Sequence, residues 1–196
     1  MNKGTRRAVG RFVQYLNAGD ELASPEALAR VSAAIDSAAS EPDVVFAGAR
    51  FALANGAVIA WHPRPLAYVR HGLPANHQAT FFRRAAIPDA PYDASYRICG
   101  DYEIIARLSL RSPTVLQVDD PVVLFRDGGV SARQPATLLR ECLRVQREVL
   151  AMSLAERVRS AARRAINMAA VRVLAQPAIT PMARTALACR EALRKR

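Results

Sequence analysis

Over the first 131 residues, short apolar runs of strand length alternate with segments whose apolar positions recur at helical spacing, the pattern of an α/β domain. The run "RFVQYLN" (11–17) predicts a buried strand. The segment "SPEALARVSAAIDSAA" (24–39) predicts a helix, with Ser24 as N-cap, Pro25 at the first helical position and Leu28, Val31 and Ile35 on one face. Three more strands are expected in "DVVFAGARFAL", "GAVIAWHP" and "HQATFFRR". A helix in "DYEIIARLSL" then turns Ile104, Ile105 and Leu108 to the core, and "TVLQVDDPVVLF" gives further short strands. Ahead of them all, "MNKGTRRAVG" reads as the last turns of a helix feeding the strand at Arg11.

After "RDGGVSA" the period changes. "PATLLRECLRVQREVLAMSLAERVRSAARRAINMAAVRVLA" is continuous helix-forming sequence stopped by Pro177 and Pro181, with a shorter helix closing the chain. Two regions are therefore expected, an α/β domain over 1–131 and a helical tail over 132–196. Charge divides them too. Residues 1–131 carry 14 Lys and Arg against 13 Asp and Glu, while 132–196 carry 14 against 4, so nearly all of the net +11 sits in the tail. There Cys142, Val145, Val149 and Met152 share a helical face, and Arg140, Arg144 and Arg147 fall on others. Such a tail suits peripheral attachment to an anionic membrane surface, and equally a helix packed back on the domain with a solvated arginine face. Nucleic acid is the weakest partner, since no binding module is present and aromatic residues for stacking are only 6% of the chain.

With 51% apolar and 23% charged residues, the composition is that of an ordinary globular protein, and 196 residues allow one good core. No apolar run approaches the length of a membrane-spanning helix, and the basic N-terminus lacks the apolar middle of a secretory signal. Cytoplasm is the expected compartment. Cys99, Cys142 and Cys189 are far apart with no CxxC spacing, which predicts reduced, mostly buried thiols rather than a disulfide framework or structural zinc site.

Three stretches could carry chemistry. The turn after the opening strand holds Asn17, Gly19 and Asp20, where a carboxylate could hold a hard divalent cation on a diphosphate or simply close a strand-ending turn. In "HGLPANHQATFFRR", His77 and Gln78 precede a strand and Arg84 follows it, polar groups able to orient a sugar or phosphate. In "YDASYRICGDYEIIARL", Asp101 opens a helix, as its N-cap or as a general base beside a pocket. His71, His77 and Asp101 have no recognised zinc-ligand spacing.

Taken in order, "MNKG…FVQYLNAGDEL", "LPANHQATFFRR", "YDASYRICGDYEIIARL" and "FRDGGVSA" resemble the family 2 glycosyltransferases, inverting enzymes with the GT-A fold, over about residues 1–131. The resemblance implies a partial GT-A (Rossmann-like) mixed sheet with flanking helices, followed by the basic helical tail. It also implies a nucleotide-sugar donor, a saccharide or lipid-linked acceptor and a divalent cation, Mg or Mn. On the matching positions Asp20 would be the metal ligand, with Asn17 where many members carry a first aspartate. Asp101 would be the catalytic base, and His77, Gln78, Gly19 and Arg84 would line the substrate cleft. The family's opening strand and nucleotide-binding half have no counterpart here, and Met1 falls at an internal stretch of the pattern, so the sequence corresponds to the C-terminal portion of a GT-A domain. The alternative of another class is a noncatalytic binding or scaffold protein that uses the basic tail for membrane or partner contact.

Overall fold

The computed structural model describes residues 1–53, 56, 58–126 and 129–174. It is a mixed α/β arrangement of three layers around one curled sheet. In chain order the elements are α1 (Asn2–Arg7), β1 (Phe12–Gln14), β2 (Glu21–Leu22), α2 (Ala27–Asp36), β3 (Val44–Ala52), β4 (Val58–Trp61), β5 (Thr80–Arg83), α3 (Gly100–Ser109), β6 (Val115–Arg126), α4 (Val130–Arg133), α5 (Pro135–Glu148) and α6 (Leu154–Leu174). The strand order is β1-β5-β3-β6-β2, with β4 pairing β3 beside that path. Only β3 and β6 run parallel.

The sheet is two-faced because β3 alternates. Val44 and Phe46 join one core with Val13, Phe82, the α3 residues Ile104, Ile105 and Leu108, and the α5 residues Cys142 and Val145. Val45, Ala47 and Ala49 join the other with Phe81, Val123 and the α2 residues Ala27, Val31 and Ile35. Phe46 and Phe82 are fully buried on the α3 face, where truncation to alanine typically costs about 3–5 kcal/mol.

Four local expectations are corrected. Ser24 is not the N-cap of α2. A turn in which Ala27 N–H bonds the Ser24 carbonyl precedes the helix, Glu26 is the capping residue, and Ser24 Oγ instead accepts from Arg30. The buried stripe of α2 runs at four-residue steps through Ala27, Val31 and Ile35, which leaves Leu28 43% exposed. The "TVLQVDDPVVLF" segment is one long strand rather than several. Its twelve residues pair the nine of β3 through two register shifts flanking Gly48, where the Asp119 and Asp120 carbonyls crowd so close that a Cβ could not fit. The expected strand at 11–17 pairs over only three residues, because its partner β5 offers a register from Phe12 opposite Arg83 to Gln14 opposite Phe81.

The fourth correction concerns the tail, which is not one continuous helix. After Glu148 the chain breaks, turning Leu150 and Met152 into the core, and Ala151 adopts the left-handed region at φ 47°. The Met152 N–H reaches back six residues to the Gln146 carbonyl at 2.8 Å and so satisfies one of the last carbonyls of α5. Ser153 and Glu156 then start α6 reciprocally: Ser153 N–H donates to the Glu156 carboxylate at 2.8 Å, and Glu156 N–H donates to Ser153 Oγ at 3.4 Å, a capping box. The start of α6 docks on the 66–71 segment through the Arg70–Glu156 ion pair at 2.5 Å, and on α5 through the buried Gln146–Ser160 hydrogen bond at 2.6 Å. The stops at Pro177 and Pro181, the closing helix and Cys189 lie outside the described residues. Among the described residues no helix is long and apolar enough to cross a membrane.

Candidate functional site

The turn after β1 is built by Asn17-Ala18-Gly19-Asp20. Asp20 N–H donates to the Asn17 carbonyl at 3.1 Å, and Gly19 takes φ 91°, the third-position requirement of a type II turn, which glycine meets without strain. Asn17 and Gly19 are exposed, and Asp20 is half-buried. Asp20 does not cap the segment after it. Its carboxylate accepts the Gln78 side-chain amide at 2.7 Å, and the Gln78 carbonyl in turn accepts the Gln14 side-chain amide at 2.7 Å. A turn on one strand is thus fastened to the lead-in of another strand 58 residues away.

His77 sits one residue earlier in that lead-in, only 5% exposed. Its ring stacks on Tyr15 with centroids 5.6 Å apart and meets Tyr92 edge to face at 6.0 Å, while Nε2 lies 3.2 Å from the Tyr92 hydroxyl. Nδ1 is buried without a protein partner. Burial keeps His77 below the usual imidazole range, opposed by the negative charge of Asp101. Asp101, the second residue of α3, is the acidic group on this cluster. Cys99 occupies the N-cap position instead, so Asp101 is a first-turn acid whose carboxylate accepts the Tyr102 N–H at 2.7 Å. Burial raises the Asp101 carboxyl above the ordinary aspartate range, and the interaction with His77 opposes the rise. A carboxylate held this way is a stronger base than a solvated one.

Three partners of this cluster carry no signal that sequence inspection picks up. Tyr15 donates to or accepts from Thr5 at 2.7 Å in a buried pair, and Tyr92 exchanges backbone bonds with the Asn2 side chain at 2.8 and 2.9 Å, so α1 braces both tyrosines. Glu141 of α5 is the third. Its carboxylate accepts the N–H groups of Arg97, Ile98 and Cys99 at 2.9, 2.8 and 2.8 Å and so holds the start of α3 from outside.

The structure joins Asp20 to Gln78 by a hydrogen bond and sets Asp101 within electrostatic reach of His77, with Gln78 and His77 adjacent in one lead-in. Arg84 is placed apart, at the opposite end of β5, where it pairs with Asp89 and donates to the Ile87 carbonyl at 3.4 Å. Asp127 and Gly128 of the "FRDGGVSA" loop lie outside the described residues. Among the described residues no group of three or more His, Cys, Asp or Glu side chains is arranged to hold a metal ion. His71 and His77 have separate surroundings, His71 beside Tyr68 and His77 between Tyr15 and Tyr92.

The two described cysteines, both free and buried, face each other with sulfurs 3.1 Å apart, Cys99 at the cap of α3 and Cys142 on α5. An S–H from Cys99 favours the Cys142 thiolate, with the Arg164 charge nearby, and lowers the Cys142 pKa against the effect of burial. Comparison with protein-family models and with curated proteins finds no match for this chain.

Proposed function

We propose that the chain carries the C-terminal portion of an inverting, nucleotide-sugar-dependent glycosyltransferase of family 2, with a GT-A (Rossmann-like) sheet, acting in polysaccharide or glycolipid assembly. The observation that supports this reading best is the hydrogen bond between the Asp20 turn and the His77–Gln78 lead-in, with the first turn of α3 within electrostatic reach of His77. They are the stretches whose order in the sequence resembles that family. In this reading Asp101 takes the proton of an acceptor hydroxyl as the hydroxyl oxygen forms its bond to the anomeric carbon. The bond from that carbon to the diphosphate oxygen breaks on the opposite face, which inverts the configuration. Burial keeps Asp101 basic.

Asp20 and the exposed Asn17 carboxamide would hold a divalent cation. One carboxylate oxygen of Asp20 is engaged by Gln78, so the protein offers few oxygen ligands, which fits a hard cation that completes its shell with diphosphate oxygens and water. Such a cation offsets the charge of a departing diphosphate. Calorimetric titration of the full chain with nucleoside diphosphate sugars, with and without Mn²⁺, tests the reading. Cation-dependent binding that Asp20→Ala removes is expected. Absence of binding at millimolar ligand contradicts it.

A further inference from the structure

The outer side of α5 forms a groove of about 420 Å³ with the start of α6 and the loop before α3, with Glu141 among its lining residues. Arg140, Arg144 and Arg147 line it from α5, Arg157 enters from α6, and Ser95 and Thr137 place hydroxyls at its rim. The spacing of the first three puts them along one side of the helix. The acids around them are already engaged. Glu148 accepts from Arg144 at 2.8 Å and from Arg147 at 2.6 Å, Glu141 accepts three backbone N–H groups, and Glu156, next in sequence to Arg157, binds Arg70 and Ser153.

Arg140 donates to the Thr137 hydroxyl at 3.3 Å, a weak neutral partner, and Arg157 Nε is buried with no partner among the described residues. Among the described residues neither Arg140 nor Arg157 makes an ion pair, so their terminal guanidinium nitrogens are left for an anion to accept from. Arg144 is held in place by lying over the Tyr96 ring at 4.3 Å. Arg144 and Arg147 share the Glu148 carboxylate and Glu141 adds a second acid, so the four guanidinium groups leave a surplus of positive charge in the groove. Their planar N–H forks match phosphate oxygens two at a time.

We propose that this groove binds a phosphate-bearing anion of two or more charges, with Arg140 and Arg157 as its principal donors. The anion is either a soluble diphosphate or the headgroup of an acidic phospholipid. Leu154 and Val158, 68% and 59% exposed on α6 beside Arg157, are side chains that a lipid surface would cover. The proposal does not rest on the sugar-transfer reading.

The test uses the full chain at low salt, with calorimetric titration of pyrophosphate and flotation with phosphatidylcholine vesicles that contain or lack phosphatidic acid. Saturable binding to pyrophosphate identifies a soluble source, and binding to phosphatidic acid vesicles alone identifies the headgroup. Either result supports the site if Arg140→Gln/Arg157→Gln lowers affinity about tenfold or more while Arg133→Gln/Arg159→Gln, which removes two exposed charges of the tail outside the groove, changes it by about twofold or less. Arg140→Lys keeps the charge and loses the fork, so an intermediate affinity is expected of it even if the double variant folds poorly. Equal losses from the two double variants would mean diffuse attraction to a basic tail and would overturn the proposal. So would the absence of binding to both probes.

Discussion

Glu141 and Cys99 meet at 2.8 Å, carboxylate to backbone N–H, and through that bond and its two neighbours a helix of the basic tail holds the first turn of α3, which carries Asp101. Glu141→Ala leaves three N–H groups without their acceptor and is expected to cost about 2–3 kcal/mol, Glu141→Gln less. Burial works against the Glu141 charge, the three backbone bonds outweigh it, and the carboxyl lies below the usual glutamate range. A depressed pKa stabilises the fold above the unfolded value, and that contribution is lost as pH falls through the folded value. The stability gap between the native protein and Glu141→Gln should therefore narrow as urea denaturation is moved from neutral pH to below about pH 4. A gap that stays constant with pH would mean the charge is not what holds α3.

Asp101 has the opposite sign. Its folded pKa is raised by burial, so the unfolded chain releases this proton first and stability is lost as pH rises through the ordinary aspartate range. Asp101→Asn keeps an oxygen for the Tyr102 N–H and removes the buried charge. It is expected to raise the melting temperature at neutral pH, with the gain fading in acid. A lower melting temperature at neutral pH would show Asp101 to be a structural acid.

How much of this could be read beforehand depended on how local the cause was. The helix bearing Ile104, Ile105 and Leu108 and the strand bearing Val44, Val45 and Phe46 were legible, because each is written in a short apolar period. The strand across Asp119, Asp120 and Pro121 was not, because its continuity depends on Gly48 lying beside it in space. Asp20, Gln78, His77 and Asp101 stood out as polar residues at element ends. Their contacts were hidden, since Gln78 reaches Asp20 across 58 positions and Glu141 reaches Cys99 across 42. The break before α6 is different: Ser153-Leu-Ala-Glu156 is a local capping pattern, visible in the sequence once the apolar period is not followed straight through it.

That break carries a strained residue. Ala151 sits in the left-handed region, which costs a β-carbon-bearing residue about 1–2 kcal/mol and glycine nothing comparable. Ala151→Gly gives part of that back to chain entropy and is expected to stabilise the protein by about 0.5–1 kcal/mol in urea denaturation. A continuous α5–α6 helix would instead lose stability by a similar amount on acquiring glycine.

The Cys99 and Cys142 sulfurs need to close by only about 1 Å to reach bonding distance. In a Cys189→Ser background, hydrogen peroxide is expected to oxidise the pair, two thiols and one peroxide giving one disulfide and two waters. Peptide mapping without reductant should then join the segments around residues 99 and 142, and Cys142→Ser should prevent it. Oxidation that leaves both thiols open to alkylation would place them farther apart than the fold requires.

The central claim is that the Asp20 turn, the His77–Gln78 lead-in and the start of α3 form one site for a cation-bound diphosphate. Backbone amide NMR of the isotope-labelled chain, titrated with Mn²⁺ in the presence of a nucleoside diphosphate, tests it most directly, because the paramagnetic ion broadens only nearby signals. The account predicts broadening of Asn17, Gly19, Asp20, His77 and Gln78 first, then of Asp101 and Tyr102, with the α2 signals of Ala33 to Asp36 unchanged. Broadening centred elsewhere, or none, would contradict it.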